Sequence, residues 1–258
     1  MILAENPDGH DLLAGRVAIV TAAAGSGIGG ATARRLLREG ATVVVSDVHE
    51  GRLAACVDDL RSAAPGRVHG VACDVTGPEA FEALFDAVEA LAGPLDIVVN
   101  NAGLGGSAPL AEMTDQQWHR VLDVSLVSTF RSTRAALRRL VPLGRGTIVN
   151  VASVTGWRAE AGQAHYAAAK AGVMALTRCA ALEAAPHGIR VTAVAPTLAM
   201  HPFLEKVVSE DELAHWAQVQ PQGRAAEPAE VAAVIAALAS GYASYLTGEV
   251  VSVSSQRA

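Results

Sequence analysis

Along the chain, short apolar runs with no polar alternation are separated by longer stretches in which apolar residues recur every three or four positions. The first pattern is that of strands buried on both faces, and the second that of helices covering them. Arg16–Thr21, Ala41–Asp47, Arg67–Cys73, Leu95–Asn100, Gly146–Ala152, Ile189–Ala195 and Gly248–Val253 read as seven strands. Helices are expected from the glycine-rich turn after Thr21 to Glu39, over Glu50–Ser62, over Glu79–Leu91 and from Thr114 to about Leu140. Three more are expected over Gln163–Ala185, Phe203–Gln220 and Glu230–Ser240. Their ends have local causes. Gly40 stops the first helix, Ala64-Pro65-Gly66 and Gly93-Pro94 the next two, and Pro186 with Gly188 the long one. Thr114 followed by Gln117 makes a capping box.

Strands alternating with helices predict an α/β chain: a single doubly wound, Rossmann-type domain, with a parallel sheet of about seven strands and helices on both faces. No Pro/Ser-rich linker divides the sequence. Residues 1–14 carry no motif and read as an N-terminal arm, leaving 15–258 as one domain. The composition fits this picture. It is 51% hydrophobic but only 4% aromatic, a surplus built from Ala, Val and Leu. The net charge of −6 leaves no electrostatic footprint for nucleic acid. No apolar run reaches the roughly 18 residues of a membrane span. The opening MILAENPDGHDL has no basic segment and does not read as a signal peptide. Cys56, Cys73 and Cys179 form no CxxC pair and suit a reducing cytoplasm. The eight histidines form no HxxxH or HxH cluster, so no metal site is expected.

In a doubly wound sheet, ligands bind beyond the carboxyl ends of the strands, so the residues just after each strand carry the chemistry. The first strand runs into Thr21-Ala-Ala-Ala-Gly25-Ser26-Gly27-Ile28-Gly29-Gly30. A glycine-rich turn opening a helix brings backbone N–H groups to a pyrophosphate. The second strand ends in Asp47, 18 residues after Gly29, where a carboxylate accepts ribose hydroxyls and repels a 2′-phosphate. No Arg or Lys follows within Ser46–Glu50, which points to NAD rather than NADP. The later strands end in Asp74-Val75, in Asn100-Asn101-Ala102-Gly103 and in Ser153. Thirteen residues after Ser153 comes Tyr166, with Lys170 four further on. Tyr and Lys at that spacing share a helix face, and the ammonium is expected to lower the phenol pKa for acid/base work.

This order of motifs resembles the short-chain dehydrogenase/reductase family from about Arg16 to Val253. The resemblance implies that Tyr166 exchanges the proton with the substrate oxygen, Ser153 holds that oxygen, and Lys170 tunes Tyr166 and binds the nicotinamide ribose. It implies that Ser26, Gly27, Ile28, Gly29, Asp47, Val48, Asp74, Val75, Asn101, Ala102 and Gly103 contact the cofactor, with Pro196, Thr197 and Leu198 covering the nicotinamide. The chain departs from the pattern in places. Against TGxxxGxG, the first loop carries one extra residue, with Ala23 at the first glycine and Thr21 one position too far. Ser125 stands where the family often has an Asn supporting a proton relay through the lysine. Thr197 and His201 replace the Gly and Thr of PGxxxT, and Val253-Ser254-Ser255-Gln256 replaces VDGG. TAAAGSGIG, SDVHE, GQAHYAAAKAGVMALTRC and GEVVSVSSQRA resemble an actinobacterial subgroup linked to breakdown of steroid-ring CoA thioesters.

These residues imply an NAD-dependent oxidoreductase acting on a secondary alcohol or ketone, a hydroxyacyl-CoA or a cyclic alcohol. A homotetramer or homodimer is expected from the resemblance. The rival enzyme is a 3-oxoacyl-thioester reductase, acyl-carrier or CoA linked, which usually takes NADPH. The rival of another class is a non-catalytic dinucleotide sensor, which has no need of Ser153, Tyr166 and Lys170. Specificity is expected in Leu104–Glu112, Val154–Gln163 and Thr197–Gln220. Trp157, His201, Phe203 and Trp216 are pocket-lining or packing residues on this reading, and His165 a packing or interface histidine.

Overall fold

The computed structural model describes residues 8–158, 160–200, 213 and 216–255. Seven strands form one parallel sheet in the order β3-β2-β1-β4-β5-β6-β7. They are β1 (Val17–Thr21), β2 (Thr42–Asp47), β3 (Val68–Ala72), β4 (Ile97–Asn100), β5 (Gly146–Val151), β6 (Ile189–Pro196) and β7 (Val250–Val253). The helices are α1 (Ile28–Arg38), α2 (Glu50–Ala63), α3 (Ala80–Ala92), α4 (Asp115–Leu122), α5 (Ser128–Leu143), α6 (Ala164–Ala184) and α7 (Pro228–Ala239). All seven expected strands form, each within two residues of its expected bounds. Residues 216–218 are helical within the expected helix over Phe203–Gln220. Most of that helix, with His201 and Phe203, lies outside the described residues, as do residues 1–7 of the arm and Gln256.

Strand residues alternate between two apolar layers. Ala18, Val20, Val43 and Val45 pack with Leu36 of α1, Leu53 and Val57 of α2 and Ile235 of α7. Val17, Ile19 and Val44 point the other way, onto Phe81 and Phe85 of α3, Leu140 of α5 and Ala181 of α6. Each fully buried Leu or Phe contributes about 2–3 kcal/mol, so the two layers hold the sheet from both sides. Alanine on the helices lets them lie close to the valine strands.

Residues 9–14 dock onto the end of α1. Leu13 is buried, and its N–H donates to the Glu39 carbonyl. The Glu39 carboxylate is fully buried; it accepts from the N–H groups of His10 and Leu12 and pairs with Arg35. Burial works to raise its pKa, but these hydrogen bonds and the guanidinium win, and it lies below the usual value.

One expectation fails in an informative way. The single helix from Thr114 to Leu140 is three segments: α4, a π-helical turn over Asp123–Val127, and α5. The Thr114–Gln117 capping box forms as expected. In the π-turn the Ser128 N–H bonds the Asp123 carbonyl, five residues back. Two hydroxyls take up carbonyls the wider turn leaves open: Ser128 Oγ donates to Val124 and Thr129 Oγ1 to Ser125. The inserted register turns Ser125 inward, where it is wholly buried.

Candidate active site

The strand order reverses between β1 and β4, and the site lies at that switch point, beyond the strand carboxyl ends. After β1, the turn leads into α1, whose N-cap is Gly27 with no side-chain cap. The first-turn N–H groups are therefore open to an anion. The turn tolerates no side chain where it doubles back. A Cβ on Gly29 would lie 2.5 Å from the Ala22 carbonyl oxygen and from Asn101 Nδ2, and one on Gly30 would lie 1.8 Å from the Gly25 carbonyl oxygen. Gly30 was not among the expected cofactor residues; the doubled glycine after Ile28 was its signal.

Thr21, set aside by the motif count, ties two of these loops together. Its hydroxyl accepts from the N–H groups of Asn101 and Ala102, at 3.0 and 3.1 Å, and donates to the Val99 carbonyl. Asn101 Nδ2 in turn donates to the carbonyls of Thr21 and Ala22 at 3.0 Å each. Below them Asn100, Asn150 and Thr177 form a buried hydrogen-bonded chain from β4 through β5 to α6.

Asp47 ends β2 as expected. Its Oδ1 accepts from the His49 N–H at 3.0 Å and from Arg52 Nη2 at 3.2 Å. No hydrogen bond engages Oδ2 among the described residues. Ser46–Glu50 holds no Arg or Lys, as read, but Arg52, two residues further on at the start of α2, reaches back to Asp47. Val48 is exposed beside it. Asp74 Oδ1 accepts from the Thr76 N–H and hydroxyl, which lower its pKa, and Val75 follows half-buried. Pro196 closes β6, and Thr197 donates its N–H to the Val253 carbonyl and its hydroxyl to Gln220, with Leu198 beyond.

Ser153 caps the 3₁₀ turn Val154–Gly156 after β5, accepting from the Thr155 N–H. That turn packs tightly on α6: a Cβ on Gly156 would lie 3.0 Å from the backbone of Lys170 and Ala171. This close contact brings Ser153 to Tyr166. Tyr166 and Lys170 share a face of α6, with Lys170 Nζ 5.6 Å from the phenol ring centroid. Lys170 is buried and donates to the Val151 carbonyl at 2.7 Å. The expected direction of tuning is not the one found. Burial raises the Tyr166 pKa, and hydrogen bonding to Ser153 only partly offsets this. Burial also pushes Lys170 down to about 8. The ammonium donates to the Val151 carbonyl, and at the phenol burial outweighs the Ser153 hydrogen bond.

Among the described residues Ser125 makes no direct hydrogen bond to this trio. Its Oγ accepts from the Leu104 N–H at 3.0 Å and donates to the Leu104 carbonyl at 3.1 Å. It pins the loop that follows Gly103, and Gly103 faces Lys170 Nζ. Ser125→Ala is expected to deprive the Leu104 N–H and carbonyl of this partner and to cost about 1–3 kcal/mol in a urea unfolding titration; an unchanged midpoint would show that this loop is held otherwise. His165 is buried; its Nδ1 accepts the Tyr166 N–H, a donor otherwise orphaned at the start of α6, and its Nε2 faces Gly106. It is a packing residue with a capping role. Trp157 and Trp216 are both exposed. No cluster of metal-ligating side chains occurs among the described residues, and no helix among them is long and apolar enough to cross a membrane.

Open N–H groups at a helix start, turns that exclude a Cβ and a strand-end carboxylate together fit a nicotinamide dinucleotide. Comparison with known proteins agrees. A sequence model of the family described as enoyl-(acyl carrier protein) reductase matches residues 22–255. The chain is 61% identical over 250 residues to (5R,7aS)-5-hydroxy-7a-methyl-1-oxo-2,3,5,6,7,7a-hexahydro-1H-indene-carboxyl-CoA reductase of Mycobacterium tuberculosis, covering 96% of this chain and 95% of the relative. It is 44% identical to cis-4-hydroxycyclohexanecarboxylate dehydrogenase of Sinomonas cyclohexanicum, covering 94% and 96%. A solved short chain dehydrogenase from Mycobacterium smegmatis superposes with a TM-score of 0.89 at 55% identity, over 100% of this chain and 99% of that one.

Proposed function

The chain belongs to the short-chain dehydrogenase/reductase family, and from that premise we propose that it is an NAD-dependent oxidoreductase of a cyclic, steroid-derived alcohol or ketone carried as a CoA thioester. The observation that carries the chemistry is the meeting of Ser153, Tyr166 and Lys170 at the carboxyl edge of the sheet, beside the glycine turn. The substrate class rests on the CoA reductase 61% identical to this chain, and the ring on the cyclohexane dehydrogenase.

When bound, the nicotinamide takes up or supplies the hydride. The residues of the chain do the rest. Tyr166 passes the proton to or from the substrate oxygen, and Ser153 holds that oxygen at the phenol. Lys170 carries the charge that stabilises the phenolate. Ser26, Gly27, Ile28 and Gly29 meet the pyrophosphate, and Asp47 with its open Oδ2 meets the adenosine ribose. Val48, Asp74 and Val75 border the adenine. Asn101, Ala102 and Gly103 support the central part, and Pro196, Thr197 and Leu198 the nicotinamide. The assembly proposed is a homotetramer or homodimer; the partly exposed edge strand β7 and the exposed Tyr242, Tyr245 and Leu246 near it support this. The three cysteines, free in the structure, suit the cytoplasm.

A screen of NAD- and NADP-linked turnover across steroid-ring CoA thioesters, free cyclic alcohols and 3-oxoacyl thioesters tests this reading. Turnover of ring thioesters with NAD(H) is expected. Preference for open-chain 3-oxoacyl thioesters with NADPH would make the chain a fatty-acyl type reductase, the reading supported by its 40% identity to a 3-oxoacyl-[acyl-carrier-protein] reductase of Vibrio cholerae. Dinucleotide binding without turnover of any of these would point to a sensor.

A further inference from the structure

We propose that Arg52 is a specificity-determining residue of the dinucleotide site, setting how strongly Asp47 discriminates between the two nicotinamide dinucleotides. The proposal rests on the reading of Asp47 as the ribose anchor. Arg52 lies five residues beyond Asp47, in the first turn of α2, and its Nη2 sits 3.2 Å from Asp47 Oδ1. The carboxylate side chain is almost fully buried, whereas the guanidinium side chain is 58% exposed. This asymmetry matters. Asp47 is fixed by β2 and by the His49 N–H, and Arg52 is the exposed partner of the pair. Being exposed, it can be removed without opening the core.

Two consequences follow from the geometry. Oδ1 is committed to His49 and Arg52, which leaves Oδ2 to accept a ribose hydroxyl. The guanidinium, paired with the Asp47 carboxylate, also offsets the negative charge that would repel a 2′-phosphate. The charge sets the sign of the effect on discrimination: with Arg52 present, the site rejects the phosphorylated dinucleotide less strongly than a lone carboxylate would. An exposed unit charge about 4 Å away is worth ~1 kcal/mol in water, which is about fivefold in a ratio of dissociation constants.

Isothermal titration of NAD+ and NADP+ into the ligand-free protein at low salt measures this, using the wild type, Arg52→Ala, Arg52→Lys and Asp47→Ala. Low salt is needed because an exposed charge is screened over a Debye length of about 10 Å at 0.1 M. Arg52→Ala is expected to raise the ratio Kd(NADP+)/Kd(NAD+) about fivefold, and Arg52→Lys, which keeps the charge, to restore most of the wild-type ratio. An unchanged ratio in Arg52→Ala, a shift toward NADP+, or an equal shift in Arg52→Lys overturns the proposal. Asp47→Ala separates it from its premise. That variant should lower the ratio; if it does not, the ribose anchor itself is wrong, whereas a response at Asp47 with none at Arg52 defeats only the proposal made here.

Discussion

Tyr166→Phe is expected to lower kcat by about 10²–10⁴-fold while leaving the dissociation constant for the dinucleotide unchanged. The substitution removes one oxygen from a half-buried ring and keeps the ring's packing on α6. What it deletes is the group that exchanges the proton with the substrate oxygen. The raised Tyr166 pKa adds a direction to this prediction. Burial keeps the phenol protonated at neutral pH, the state that donates to the oxygen of a ketone as hydride arrives. Alcohol oxidation needs the phenolate, so the wild-type oxidation rate should climb with pH more steeply than the reduction rate. Single-turnover kinetics in both directions, alongside a calorimetric titration of the dinucleotide, check both parts. Near-wild-type turnover in Tyr166→Phe would remove Tyr166 from the chemistry.

How much of this was legible in the sequence depends on how far each residue's partners lie along the chain. Ser153, Tyr166 and Lys170 could be read because position at a strand end and an i, i+4 spacing are local properties. The Thr114–Gln117 box could be read for the same reason. The π-turn could not: the helical pattern continues across Asp123–Val127, and a one-residue register shift leaves it intact. Its trace was chemical, in the hydroxyls of Ser125, Ser128 and Thr129. The work of Thr21 was hidden because its partners are some 80 residues away, across the β1–β4 junction. Arg52 lies beyond the residues adjacent to Asp47 in sequence, and only the start of α2 folds a residue five positions on back over the strand end. The raised pKa of Tyr166 was hidden for a different reason. Spacing shows that a lysine is near, but not that its ammonium is desolvated and turned to a carbonyl.

That desolvation makes Lys170 a measurable burden on the fold. Its pKa falls from 10.5 to about 8 on burial. Between about pH 8 and 10.5 the unfolded chain therefore holds a proton that the folded chain has released, and stability rises with pH through this window. The gain is complete above 10.5 and is lost as pH falls through 8, where the fold must enclose the charged ammonium with the Val151 carbonyl as its hydrogen-bond acceptor. A shift of this size corresponds to about 3 kcal/mol. Lys170→Met fills the same space with an uncharged side chain and removes the titration. Relative to wild type, the variant should thus be about 3 kcal/mol more favoured at pH 7 than at pH 10.5. Urea unfolding of both proteins at the two pH values reads this difference directly, and parallel stability curves would show that Lys170 is better solvated than its burial implies. The same variant should lose turnover, because the ammonium that costs stability is the charge that a phenolate at Tyr166 needs beside it. Stability gained and catalysis lost at one residue is the signature of a charge buried for function rather than for the fold.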